Sequence, residues 1–162
     1  MNHQPPAAYE ALRKKLPVVA EINFGYTGIA LVELDKIPEA QLGYSIVPEG
    51  DTTDWQDAWL VIGHDTSLGD PIFIDRDIEE LPVLTAPHGE GTWSPSVIAP
   101  SIMAFFEILE RFAALAKNRQ HPVALESNPL SEEEQKSFYD FVAGYFDGEL
   151  PIFWELLVST DL

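Results

Sequence analysis

Seven aspartates crowd one stretch of the chain: Asp51, Asp54 and Asp57, then Asp65, Asp70, Asp75 and Asp77 around two apolar segments. Carboxylate oxygens are the donors that Ca2+ or Mg2+ would need. The spacing lacks a calcium loop's alternating donors and terminal glutamate, so turn capping and solvation account for these acids, and no metal site is expected. None of the four histidines, His3, His64, His88 and His121, forms a His-x-x-x-His pair, so no zinc site is indicated by local spacing. His64 adjoins Asp65, but a His–Asp pair catalyses hydrolysis only beside a nucleophile. Ser67, Ser94 and Ser96 stand in no strand–Gly-x-Ser-x-Gly–helix context. Gly25/Gly28, Gly43, Gly63/Gly69 and Gly89/Gly91 make neither a dinucleotide fingerprint nor a phosphate loop, and turns explain them. The absence of cysteine excludes disulfides, thiolate metal sites and cysteine nucleophiles. The expectation is a protein with no catalytic centre, no metal and no cofactor.

The elements that must hold these residues are short until the last third. Residues 5–15 read as an amphipathic helix carrying Tyr9 and Leu12, ended by the Pro17 region. Strands are predicted at 29–33, at 43–47, over the apolar run 57–63, at 69–75 beginning near Pro71, and at 82–85. Residues 86–96 form a Gly/Pro-rich turn whose Trp93 either packs back onto the sheet or sits in an exposed loop. From Ser101, an N-cap candidate, apolar residues recur at helical spacing through Phe105, Phe106, Leu109 and Phe112. A second helix opens on the capping box Ser131–Glu134 and stops near Gly148, and Pro151–Val158 makes a third, largely buried one. The predicted fold class is α+β, with helices packed against a central, mostly antiparallel or mixed sheet of short strands. No linker or repeat divides residues 1–162, so one domain is expected.

The chain carries 27 acidic against 9 basic residues over 162 positions, a formal charge of −18. At 46% hydrophobic residues it is too apolar for an acidic disordered tail. The charge opposes binding of nucleic acid or of anionic membranes and favours a basic protein partner. It is unevenly placed: residues 21–110 hold 17 acids against Lys36 and Arg76, a local balance of −15. Trp55, Trp59 and Trp93 fall in that span. Trp59, inside an apolar run, is expected in the core. Trp55, between Asp54 and Asp57, is expected as an exposed interface anchor. The candidate binding surface is Asp51, Asp54, Trp55, Asp57, Asp65, Asp77, Glu79, Glu80 and Glu90. The first residues show no basic segment leading into an apolar run, and no run approaches a membrane span, so a cytoplasmic protein is expected.

The order WLVIG, GDPIFID, PVLTAPH, a Trp-bearing turn and then Ser101 leading into a helix with Phe105–Phe106 resembles the SUKH superfamily. That superfamily includes fungal cell-wall regulators of the Smi/Knr type and many bacterial immunity proteins that neutralise secreted toxins. The elements that carry the resemblance are Trp59 with Ile62–Gly63, Gly69–Asp70 with Ile74–Asp75, Pro82–Val83, and Ser101 with Phe105. They cover about a third of the chain, and Leu16–Pro17 could fill the place of the family's Leu-Pro near the first helix. The helical segments over 131–160 exceed the family's common core. The resemblance implies an α+β fold, no catalytic activity and a protein-binding role. It implies structural roles for Trp59, Gly63, Gly69, Asp70, Asp75, Ser101 and Phe105, with Gly69–Asp70 shaping a turn and Trp59 packing in or beside the sheet. The expected function is that of an immunity protein occluding a basic, nuclease-type toxin. The alternative is a regulatory or scaffold protein that binds an endogenous partner.

Overall fold

A computed structural model describes residues 3–15 and 21–159. The positions of Leu16–Pro17 lie outside the described residues. Helix α1 (Ala7–Lys15) is followed by the hairpin β1 (Glu21–Phe24) and β2 (Thr27–Leu31). After a long connection come β3 (Trp59–Asp65), β4 (Pro71–Asp75), β5 (Val83–Thr85) and β6 (Ser96–Ala99). Helices α2 (Ile102–Ala116), α3 (Pro122–Ser127), α4 (Glu132–Ala143) and α5 (Ile152–Val158) complete the chain. The six strands form one sheet in sequence order, every neighbouring pair antiparallel. The architecture is thus α+β, with helices packed on an antiparallel sheet.

Alternation along the strands splits the apolar residues between two faces. Leu60, Ile62, Ile72, Ile74, Val83 and Ile98 point to the helices, where they meet Phe105, Ile108, Leu109 and Phe112 of α2 and Trp154 of α5. Helix α2 begins as its sequence predicts, with the Ser101 side chain accepting from the Ala104 N–H at 3.0 Å. The capping box of α4 forms from both sides: Ser131 accepts the Glu134 N–H, and the Glu134 carboxylate accepts the Ser131 N–H. No helix among the described residues is long and apolar enough to cross a membrane.

Four elements differ from expectation. Residues 43–47 form no strand; Gly43 has φ +88, and the Gly43, Tyr44 and Ile46 N–H groups close tight turns onto Ile46 and Gln41 carbonyls. Strands β1 and β6 and the short helix α3 were not legible as elements. Strand β6 lies between Pro95 and Pro100, and its pairing with β5 passes over Ile98, a bulge. The Ile98 carbonyl accepts the buried Trp154 indole N–H at 2.7 Å.

Two of the glycines in the family-like segment have clear steric reasons. A Cβ on Gly63 would stand 2.5 Å from the Ala30 carbonyl oxygen on the neighbouring strand. Gly69 turns the chain into β4 at φ +78, a left-handed conformation that other residues adopt at a cost.

Candidate functional site

Among the described residues no α-helix covers the sheet's other face. Val61, Phe73 and Leu84, the outward alternates of three central strands, form its floor with Ala86. Trp55 lies on that floor, its ring centroid 4.6 Å from Phe73. Three further rings rest on Trp55: Tyr44 at 5.0 Å, Trp93 at 5.1 Å and Trp59 at 5.2 Å. Those three are partly exposed, whereas Trp55 is 5% exposed. This corrects the expectation for Trp55. The acids beside it are in solvent, but the indole turns under, and its Nε1–H donates to the Trp59 carbonyl at 3.1 Å. Trp59, expected in the core, is instead one of the partly exposed rings.

Gln41 is the buried residue that makes this arrangement possible. The last backbone bond from this side is the Val32 N–H to the Ile62 carbonyl at 2.8 Å, so β2 pairing stops short of Val61. The Gln41 side-chain amide takes over: Oε1 accepts the Val61 N–H at 2.9 Å, and Nε2 donates to the Val61 carbonyl at 3.0 Å and the Ile37 carbonyl at 2.8 Å. A polar side chain thereby imitates a strand and satisfies groups that would be costly if buried unpaired. It also fixes the turn that lays Tyr44 over the sheet. No local pattern in the sequence marks Gln41 or Tyr44; both are assigned by contacts with distant strands.

The Tyr44 hydroxyl lies 3.1 Å from Nε2 of His64, an outward residue near the end of β3. Burial holds His64 below the ordinary imidazole value, opposed by the Asp65 charge, and burial followed by the Asp70 charge raises Tyr44. The unfolded chain therefore takes up the His64 proton more readily than the folded one. This contribution to stability is complete above the unfolded value of about 6.5 and is lost as pH falls through it toward the lower folded value. His64→Gln should flatten the dependence of urea-unfolding free energy on pH between about 7.5 and 5. Equal slopes in both proteins would rule out His64 as the titrating group.

The expected binding acids fall into distinct environments. Asp51, Asp54, Asp57, Asp77, Glu79, Glu80 and Glu90 are exposed. Asp54 has an internal duty as well: its carboxylate accepts the Trp93 N–H at 3.0 Å, drawing residues 86–95 back over the sheet. Asp77, Glu79 and Glu80 lie in the β4–β5 connection, beside the strand ends where Trp59 pairs with Asp75. Asp65 is corrected. It is 5% exposed and caps the β3–β4 turn, its Oδ1 accepting the Leu68 N–H at 2.6 Å, the Gly69 N–H at 3.2 Å and the Ser67 hydroxyl at 3.3 Å. Asp70 pins the same loop as Asp54, accepting from the His88 backbone N–H at 3.1 Å and lying 2.6 Å from His88 Nδ1. Asp75 accepts the Asp77 N–H at 3.0 Å. Phe105 is fully buried under the sheet.

Tyr44–His64 and Asp70–His88 are therefore two separate pairs, and Ser67 is turned to Asp65. Among the described residues no group of three or more His, Cys, Asp or Glu side chains is placed to hold a metal ion. What the face offers is a surface of packed aromatic rings with the Asp54 and Asp75 carboxylates beside them. Compared with protein-family models, with curated proteins and with solved structures, the chain matches none.

Proposed function

We propose that this protein is a non-enzymatic binding module whose helix-free face docks a basic protein, and that it acts as an immunity protein against a nuclease-type toxin. The observation that carries the reading is the cluster of partly exposed Tyr44, Trp59 and Trp93 on a buried Trp55, bordered by exposed acids. Aromatic rings held rigidly supply contact area at low entropic cost. Carboxylates around them steer a cationic surface into place and occupy its phosphate-binding groups. The SUKH-like order of segments 59–106 is what points to toxin neutralisation rather than to some other use of an acidic face. A location in the cytoplasm belongs to the same proposal.

Co-purification from the native cell, identification of the partner, and reconstitution of the complex test the reading. The expected partner is basic, its toxicity is blocked by co-expression of this chain, and association slows as salt is raised. Neutralising Asp51, Asp57 and Glu90 together, as Asn, Asn and Gln, should slow association about tenfold at low salt while changing dissociation much less. Unchanged association would reject the steering role. A non-toxic endogenous partner would reject immunity in favour of a regulatory or scaffold role.

A further inference from the structure

We propose that the group this face is built to anchor is an arginine side chain, its guanidinium laid flat on one of the partly exposed rings and held at its edge by carboxylates. The inference rests on the docking reading above and narrows the partner to an arginine-bearing surface. The first support is the shape of the cluster. Tyr44 lies 5.0 Å from Trp55 and 5.4 Å from Trp93, and Trp93 lies 5.1 Å from Trp55, so neighbouring rings touch and fill the space between them. They pack against one another and leave no cage with room for a trimethylammonium group. The rings are inclined to one another, by 47° for Tyr44 against Trp55 and Trp93 and by 80° for Trp93 against Trp55, so a planar cation can lie flat on one of them while its rim reaches the next.

The second support is charge. Between residues 37 and 110 the chain has a single Lys or Arg, Arg76. Its guanidinium donates to the Asp57 carbonyl at 2.6 Å and the Ala58 carbonyl at 3.1 Å. Among the described residues a cation–π contact forms elsewhere, with Arg111 over Phe141 at 4.2 Å. The electron-rich faces of the partly exposed rings suit a cation brought by a partner. The carboxylates beside the rings complete the match: Asp75 stands opposite Trp59 in the strand register, and Asp54 is bonded to the Trp93 backbone. A guanidinium can stack on a ring while its in-plane N–H groups reach carboxylate oxygens. A lysine ammonium is more strongly hydrated and lacks the planar fork, so it gains less from the same surface. The acids repel nucleic-acid phosphates, which removes a stacked base as the occupant.

The test uses hexa-arginine and hexa-lysine peptides, equal in length and charge, titrated against the intact protein and followed by tryptophan fluorescence. Variants Trp59→Leu and Trp93→Leu remove exposed rings while leaving the buried Trp55. The arginine peptide should bind about tenfold tighter than the lysine peptide. That preference should shrink to less than about twofold when both exposed indoles are replaced, with lysine binding little changed. Native far-UV circular dichroism and a cooperative melt establish that the variants fold. The Asp51, Asp57 and Glu90 neutralised protein provides the second readout. Equal affinity for both peptides, lost on neutralising those acids, overturns the arginine inference and leaves the basic-partner reading standing. An arginine preference that survives loss of both rings also overturns it. Binding of neither peptide overturns both.

Discussion

Trp55→Ala should remove about 3–5 kcal/mol of folding stability, read as a lower urea midpoint at unchanged slope. Trp55 is the ring on which Tyr44, Trp59, Phe73 and Trp93 all converge, and its replacement leaves a cavity under three of them. The layer has little else to hold it, because the outer face has a buried core of only Trp55, Val61, Phe73, Leu84 and Ala86 among the described residues. The loss is a large share of the 5–15 kcal/mol typical of a domain, roughly a fifth or more. Since the exposed rings lose their support, peptide or partner binding should fall as well. A loss below about 1 kcal/mol would mean that the layer repacks around the gap and that Trp55 is no keystone.

Arg119→Met should cost a similar amount, about 3–5 kcal/mol, through different physics. The Arg119 side chain is 7% exposed and sits where α2 turns toward α3. Its Nε–H donates to the Asn128 carbonyl at 2.6 Å, and Nη1 donates to the Leu115 carbonyl at 2.9 Å. Both Nη atoms meet the Glu134 carboxylate, at 3.2 and 3.3 Å. The Arg119 backbone carbonyl also accepts the Gly25 N–H at 2.7 Å, which ties the first hairpin to the helices. Methionine fills the volume and leaves these acceptors without a donor. Glu134 is far more open to solvent, so the carbonyl bonds, rather than the screened ion pair, carry most of the effect. Glu134→Gln should therefore destabilise clearly less than Arg119→Met. Arg119→Lys should recover only a minor part, because an ammonium cannot span the same acceptors. Equal losses for Glu134→Gln and Arg119→Met in urea unfolding would assign the effect to the ion pair instead.

What could be read from the sequence was what local chemistry determines. Helix α2 was legible because its apolar residues repeat with the helical period and Ser101 can cap it; α4 was legible from Ser131 and Glu134. The central strands β3, β4 and β5 were legible as short apolar runs between turns. Strand β6 was hidden because four residues between two prolines carry almost no pattern of their own, and β1 because its four residues acquire a partner only through the Gly25–Tyr26 turn. At the site, the exposed acids and the importance of the tryptophans were legible, but depth was not. Whether Trp55 points outward or under depends on Phe73, eighteen positions along the chain. Gln41 shows the same limit: its duty exists only because β2 ends short of Val61. Asp65 reads from the sequence as one more solvent-facing acid, because a sequence does not distinguish a carboxylate that meets a partner from one that closes a turn.

An antiparallel meander is in effect a polymer that adds one strand at a time, and something must stop its growth. At the β6 end the terminator is the Ile98 carbonyl, displaced from the ladder by the bulge and occupied by the Trp154 indole. The prolines on either side deny the next strand a run long enough to copy. At this edge one carbonyl of a four-residue strand is therefore already occupied by a helix side chain, which leaves less of the edge open for another strand to pair with. A Trp154→Phe protein would keep a ring in the core and leave the Ile98 carbonyl without its donor.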